Sequence, residues 1–152
     1  MASDTTKIER STHIAAARER VWQALTDPPQ FAKWFGVEFT GNFEPGAKIQ
    51  MTTTPEAYKG IVFDVHVEEV TPYTFSWRWH PGMPDPGLDY SKEPMTLVVF
   101  RLEEDAGGTR VTVTESGFEQ ISLTRRAGVF AQNDEGWREQ LAGLAGYVRN
   151  AT

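Results

Sequence analysis

The sequence predicts an α+β domain in which a curved antiparallel sheet of about six to seven strands wraps a long C-terminal helix, with two short helices after the first strand. Two observations carry this. The segment Asn133 to Asn150 places Trp137, Leu141, Leu144 and Val148 on one helical face; at 100° per residue they fall within about 60° of each other, a single apolar stripe. Ahead of it stand several segments that alternate apolar and polar residues with a period of two, the mark of strands with one buried face. Runs of strands with a segregated helix define the α+β class.

The elements follow in order. Lys7 to Ile14 reads as the first strand, with Ile8, Arg10, Thr12 and Ile14 on its inner face. Ala17 to Thr26 reads as a helix with Val21, Trp22 and Leu25 inward, stopped by Asp27-Pro28-Pro29 because proline has no amide hydrogen and constrains the residue before it. Gln30 to Phe35 is a second short helix or turn. Val37 to Phe43 and Lys48 to Thr53 form the arms of a hairpin turned by Glu44-Pro45-Gly46. Tyr58 to Val70 is a long strand with Ile61, Phe63, Val65 and Val67 on one face, and Thr71-Pro72 ends it. Tyr73 to His80 alternates again, with Phe75, Trp77 and Trp79 inward and Arg78 outward. Met95 to Glu104 and Thr109 to Phe118 are two further strands joined through Gly107-Gly108, a hairpin turn. A short helix around Leu123 to Phe130 precedes the long one, where Asn133 or Asp134 is placed to cap. The irregular stretch Pro81 to Pro94 holds four of the nine prolines. Loops of that length between strands often carry function, though a plain surface insertion reads the same way.

The bulk numbers narrow the function. At 152 residues the chain is long enough for one domain with its own core. A net charge of −6 and only one adjacent basic pair, Arg125-Arg126, argue against nucleic acid. With no cysteine, disulfides, thiolate nucleophiles and Cys-ligated metals are excluded. The N-terminal segment has no apolar signal region and no run is long enough to span a bilayer, so a cytoplasmic protein is expected. His13, His66 and His80 form no ligand pattern, and the last two fall on outward positions; no metal and no cofactor are expected. Neither a nucleophile elbow nor a phosphate loop is present.

Seven strands span roughly 30 Å, whereas a helix is only about 10 Å wide. The sheet must therefore curl around the helix, and large side chains or a ligand must fill what remains. Aromatic residues make up 12% of the chain, with five Trp and nine Phe, more than one helical stripe needs to bury. Trp34, Phe63, Trp77, Trp79, Phe100, Val113, Phe118, Phe130, Trp137 and Leu141 are the expected lining of a cavity, each of which also reads as ordinary core. By parity with Val111 and Val113, Glu115 points inward, as does Arg10 on the first strand. If first and last strands are neighbours the two meet, either as an ion pair at the sheet's end or as a polar anchor for a ligand. They are also the only acid–base candidates. Ala142, Gly143 and Gly146 mark the outward face of the last helix as a place for a close partner, such as a second copy in a homodimer.

The chain resembles the START/Bet v 1-like (SRPBCC) superfamily, in its activator of Hsp90 ATPase homologue 1-like branch. The matching pieces run in order along nearly the whole chain: Ala16-Ala17 followed by Val21-Trp22-Gln23-Ala24-Leu25-Thr26-Asp27-Pro28; Lys33-Trp34-Phe35; Gly60; Val70-Thr71-Pro72-Tyr73; Thr112 through Phe118; and Asn133, Gly136-Trp137 and Leu141. The resemblance implies a helix-grip fold that holds a small hydrophobic or amphipathic ligand, lipid-like or aromatic, between sheet and helix. It also implies two alternatives: an enzyme of the cyclase, aromatase or hydrolase type working in the same cavity, or a co-chaperone of Hsp90.

Overall fold

The computed structural model describes residues 6–82 and 92–150. Of the stretch Pro81 to Pro94, residues 83–91 lie outside the described residues. In chain order the elements are β1 (Lys7–Ile14), α1 (Arg18–Thr26), α2 (Pro28–Phe35), β2 (Val37–Glu38), β3 (Lys48–Thr53), a 3₁₀ turn (Glu56–Tyr58), β4 (Val62–Thr71), β5 (Thr74–Trp79), β6 (Thr96–Asp105), β7 (Gly108–Ser116), a second 3₁₀ turn (Phe118–Gln120) and α3 (Leu123–Asn150). The strands form one curled antiparallel sheet in the order β1-β7-β6-β5-β4-β3-β2. The first strand thus pairs with the last, from Lys7 opposite Ser116 to Ile14 opposite Thr109. β1 and β2 lie at opposite edges although only α1 and α2 separate them in sequence, so this helix pair crosses from one edge to the other.

Local chemistry sets the boundaries. Asp27 is extended, with ψ 116°, as expected of a residue before proline, and its amide donates to the carbonyl of Gln23 to close α1. Pro28 and Pro29 open α2, where their missing amide hydrogens are not needed. Gly36, at φ 79°, ends α2 in a left-handed turn that donates to the carbonyl of Ala32. α1 buries Val21, Ala24 and Leu25; Trp22 is half-buried and packs edge-on against Tyr73, with centroids 5.8 Å apart. β4 keeps its inward phase through Val67 and then shifts register between Val67 and Glu69, a bulge that brings Val70 opposite Phe75.

Three expected elements differ. The strand expected from Tyr58 begins only at Val62, after the 3₁₀ turn that takes Tyr58. The arm Val37 to Phe43 shrinks to a two-residue strand. Phe43 turns into the core against Phe75 at 4.8 Å and Phe31 at 5.1 Å, and Gly41 takes φ 115° to let the chain turn. The gain from burying a phenyl ring outweighs continued strand pairing at an edge. The two C-terminal helices are one helix of 28 residues, about 42 Å long at 1.5 Å per residue. No proline interrupts residues 123–150, and glycines such as Gly128 and Gly136 cost only about 1 kcal/mol each, too little to stop a helix packed on a sheet. Asn133 and Asp134 are therefore mid-helix residues, not caps. The stripe Trp137, Leu141, Leu144 and Val148 is buried together with Val129 and Ala145.

Rings interlock across the middle of the sheet–helix interface. Trp77 stacks on Phe100 at 5.6 Å and 26°, and Phe100 meets Trp137 edge-on at 5.6 Å. Among the described residues no helix is long and apolar enough to cross a membrane.

Candidate functional site

The opening lies at one end of this interface. A cleft of about 640 Å³ runs between α3 and the C-terminal turn of α2 on one side and β2, the end of β3, β4 and the end of β5 on the other. That volume is within the range of small-molecule sites. α2 supplies Trp34 and Phe35. The indole of Trp34 donates to the Ala24 carbonyl at 2.7 Å, which locks that ring between the two short helices. Gln140 of α3 donates to the Phe35 carbonyl at 3.0 Å, tying α2 to the long helix beside the cleft. Gly143 allows their close approach, since a Cβ there would stand 3.4 Å from the Trp34 carbonyl. Gly143 thus faces α2 and not the outward face expected for a partner chain.

Aromatic rings form the deep wall. Trp79 and Trp137 stack at 5.7 Å and 29°, Phe35 lies 6.2 Å from each, and Phe63 lies 5.7 Å from Trp79. Gly136 also lines the cleft, and a Cβ placed on it would meet nothing within 4 Å. Lys33, Glu135 and Glu139 stand among the lining residues as its charged members.

Behind the wall sits Glu115, with 0% exposure. Its Oε1 accepts from the Trp137 indole at 2.8 Å and from Asn133 Nδ2 at 2.8 Å. Its Oε2 accepts from the Trp79 indole at 2.9 Å, from the Thr96 hydroxyl at 2.5 Å and from the same Asn133 amide at 3.0 Å. Every one of these partners is a neutral donor. The Asn133 Oδ1 in turn accepts from the amide of Gly82 at 3.0 Å, where the chain leaves β5. Buried carboxylates persist when their lone pairs are satisfied this fully. Chemically, Glu115 fixes the orientation of both indoles and turns their only polar edges away from the cleft.

The expected meeting of Arg10 and Glu115 does not occur. Glu115 does point inward, but its neighbour on β1 is Ile8, and Arg10 stands opposite Val113. Arg10 instead forms a two-pronged ion pair with Asp134 of α3, at 2.8 and 3.2 Å. The Asp134 carboxylate raises the Arg10 pKa from its ordinary value. Strand parity predicted the face of each residue; it had no access to what the helix brings down onto that face. Glu115, with both oxygens occupied and no surface toward solvent, is not placed to move protons for a ligand in the cleft.

Of the expected lining, the structure brings Trp34, Phe63, Trp79 and Trp137 together around the cleft. Trp77, Phe100, Val113, Phe118 and Leu141 are buried away from it in the core, and Phe130 packs on Phe118 at 5.2 Å. α3 descends close enough over these positions for the rings to fill the space. Sequence reasoning missed Asn133, Thr96, Phe35 and Gly136. The i, i+4 spacing of Asn133 and Trp137, which puts both on one helical face, was the available signal. On the opposite sheet face, burial lowers the pKa of His80 from its ordinary 6.5, partly opposed by Glu93 and Asp64. Among the described residues no three of His, Asp and Glu come together as a metal site.

A curled antiparallel sheet gripping one long helix, with two short helices after its first strand, is the helix-grip fold of the START/Bet v 1-like proteins. Within it the chain belongs to the activator of Hsp90 ATPase homolog 1-like protein family, whose model matches residues 15–149. Similar solved structures share the fold. A protein from Arthrobacter aurescens has a TM-score of 0.78 at 19% identity, covering 97% of this chain and 90% of that one. The Aha1 dimer from Colwellia psychrerythraea has a TM-score of 0.71 at 23% identity, covering 96% and 98%. DynU16, a protein in the dynemicin biosynthetic locus, has a TM-score of 0.71 at 24% identity; the match covers 97% of this chain, which spans 48% of DynU16. No curated protein matches the chain.

Proposed function

We propose that this protein binds a small hydrophobic or amphipathic molecule in the cleft between α3 and the β2–β4 side of the sheet. The observation that carries the reading is a cleft of about 640 Å³ walled by Trp34, Phe35, Phe63, Trp79 and Trp137, in which Phe35 and Phe63 are left only half-buried. Elsewhere along the same interface such rings are consumed by packing. Leaving aromatic surface uncovered forfeits dispersion and hydrophobic stabilisation, which a ligand restores on binding. For the alternative of an enzyme in the same cleft, Glu115 is sealed behind the wall and the charged lining, Lys33, Glu135 and Glu139, stands at the exposed rim. Self-association, which the Colwellia protein's description as a dimer prompts, is a proposal for light scattering to test.

The test fills the cleft from its own wall. Titration with the neutral probe N-phenylnaphthylamine should give saturable one-site fluorescence enhancement in the wild-type protein. Gly136→Met, whose side chain enters open space, should abolish it while leaving the circular dichroism of the fold intact. Non-saturable enhancement, or equal binding by both proteins, refutes the proposal.

A further inference from the structure

We propose that the cleft selects a cationic ligand: an apolar, ring- or chain-bearing body carrying an ammonium group. This rests on the cleft being the binding site and goes on to name the chemistry it takes. Two observations point the same way. First, the indole N–H groups of Trp79 and Trp137 are both spent on Glu115, so these two rings offer the cleft no hydrogen-bond donor. The little of them that reaches the cleft, at 8% and 2% exposure with the rings stacked on each other, is carbon surface that offers an anion nothing to bind. Second, Glu115 is fully buried, and its partners are two indoles, one amide and one hydroxyl, with no cation among them. Arg10, on the strand beside it, is held by Asp134. The negative charge of that carboxylate therefore reaches the cleft through its aromatic wall, in a medium that screens it far less than water does.

The opposing charges do not cancel this pattern. Lys33 on the α2 rim, exposed like Glu135 and Glu139 on the α3 rim, offsets one of them. Arg138 is paired with Glu135 through a two-pronged contact at the surface. An anionic ligand meets a wall without donors backed by a buried carboxylate. A neutral ligand gains only apolar burial. A cation gains both apolar burial and the field behind the wall.

Calorimetric titration of the wild-type protein with three matched probes tests the proposal: naphthylmethyl-trimethylammonium, naphthylmethanol and naphthaleneacetate. The cation should bind about tenfold tighter than the neutral compound, the scale of a charge interaction in a partly screened site, with the anion weakest. A neutral or anionic probe binding as tightly as the cation overturns the charge inference and leaves the binding reading standing. Failure of all three to bind overturns both. Glu115→Gln should shrink the preference to about threefold or less, since it removes the charge and keeps the shape. Glu139→Lys changes the field from the exposed rim without touching the buried network, so it reads the same effect should Glu115→Gln fail to fold. It should weaken the cation and strengthen the anion, and an unchanged ranking in this variant overturns the proposal.

Discussion

Replacing Glu115 with leucine tests the part of the structure on which the cleft wall depends. The substitution keeps the volume roughly constant and removes every acceptor. Four donors then lose their partner. The Thr96 hydroxyl can rotate, and the Asn133 side chain is only half-buried, which lightens the loss of its Nδ2 partner. The indoles of Trp79 and Trp137 have no second acceptor and are 8% and 2% exposed, out of reach of bulk water. An orphaned buried donor costs about 1–3 kcal/mol, so the two together cost roughly 2–6 kcal/mol, reduced by relief from burying a carboxylate. For a chain of this size each kcal/mol moves Tm by about 2–4 °C, which puts the expected fall at roughly 5–20 °C. Denaturant unfolding followed by tryptophan fluorescence gives the free energy directly. A Thr96→Val change should be costly in the wild type and close to neutral in the leucine background, because its partner has gone. A leucine variant as stable as the wild type refutes the reasoning: the network would then be no net source of order in the wall.

Other sites give independent expectations. Gly128→Ala and Gly146→Ala add a Cβ into open space on the long helix and should each stabilise by about 1 kcal/mol; thermal melts that fail to rise would show the helix frayed there. Ala106 and Gly107 turn β6 into β7 with φ 48° and 79°, both positive as a type I′ turn requires. Ala106→Asn should therefore stabilise by about 1 kcal/mol in a denaturant titration, and a destabilised variant would contradict the turn assignment. Burial holds the imidazolium of His80 below its ordinary value of 6.5, so the folded chain favours the neutral ring. Its contribution is fully present above pH 6.5 and is lost as pH falls from there through the lower pKa of the folded state. His80→Gln should flatten the stability curve over that acidic window, and an unchanged slope would assign the dependence to another group.

Much of this architecture is written in local patterns. The period-two alternation of Phe63, Val65 and Val67, and of Phe75, Trp77 and Trp79, gave the inner sheet face because a pleat has only two sides. Asp27-Pro28 and Thr71-Pro72 gave boundaries because proline chemistry acts on its immediate neighbour. What stayed hidden depends on distances between elements. Parity placed Arg10 and Glu115 on one face but could not show that Asp134 and Asn133 come down from the helix to take each of them. Helix continuity past residue 132 turned Asn133 from an apparent cap into the amide that clasps a carboxylate. Whether a ring lines the cleft or fills the core is a matter of a few ångströms in the seating of α3: Trp79 and Trp137 border the opening, whereas Trp77 and Phe100 lie beneath the helix. That seating is permitted by Gly143 against α2, a contact invisible to periodicity.

The pairing of β1 with β7 also bears on how the chain is made. Lys7 finds its sheet neighbour at Ser116, more than a hundred positions downstream. During synthesis the other hairpins can close between adjacent strands, a fast and inexpensive step, while the leading strand has nothing to join. Its two isoleucines, Ile8 and Ile14, stay uncovered until the far end of the sheet has emerged. β1 is then the last strand to be stitched in, and any event that delays β7 lengthens the time for which a sticky ribbon is on offer to strangers.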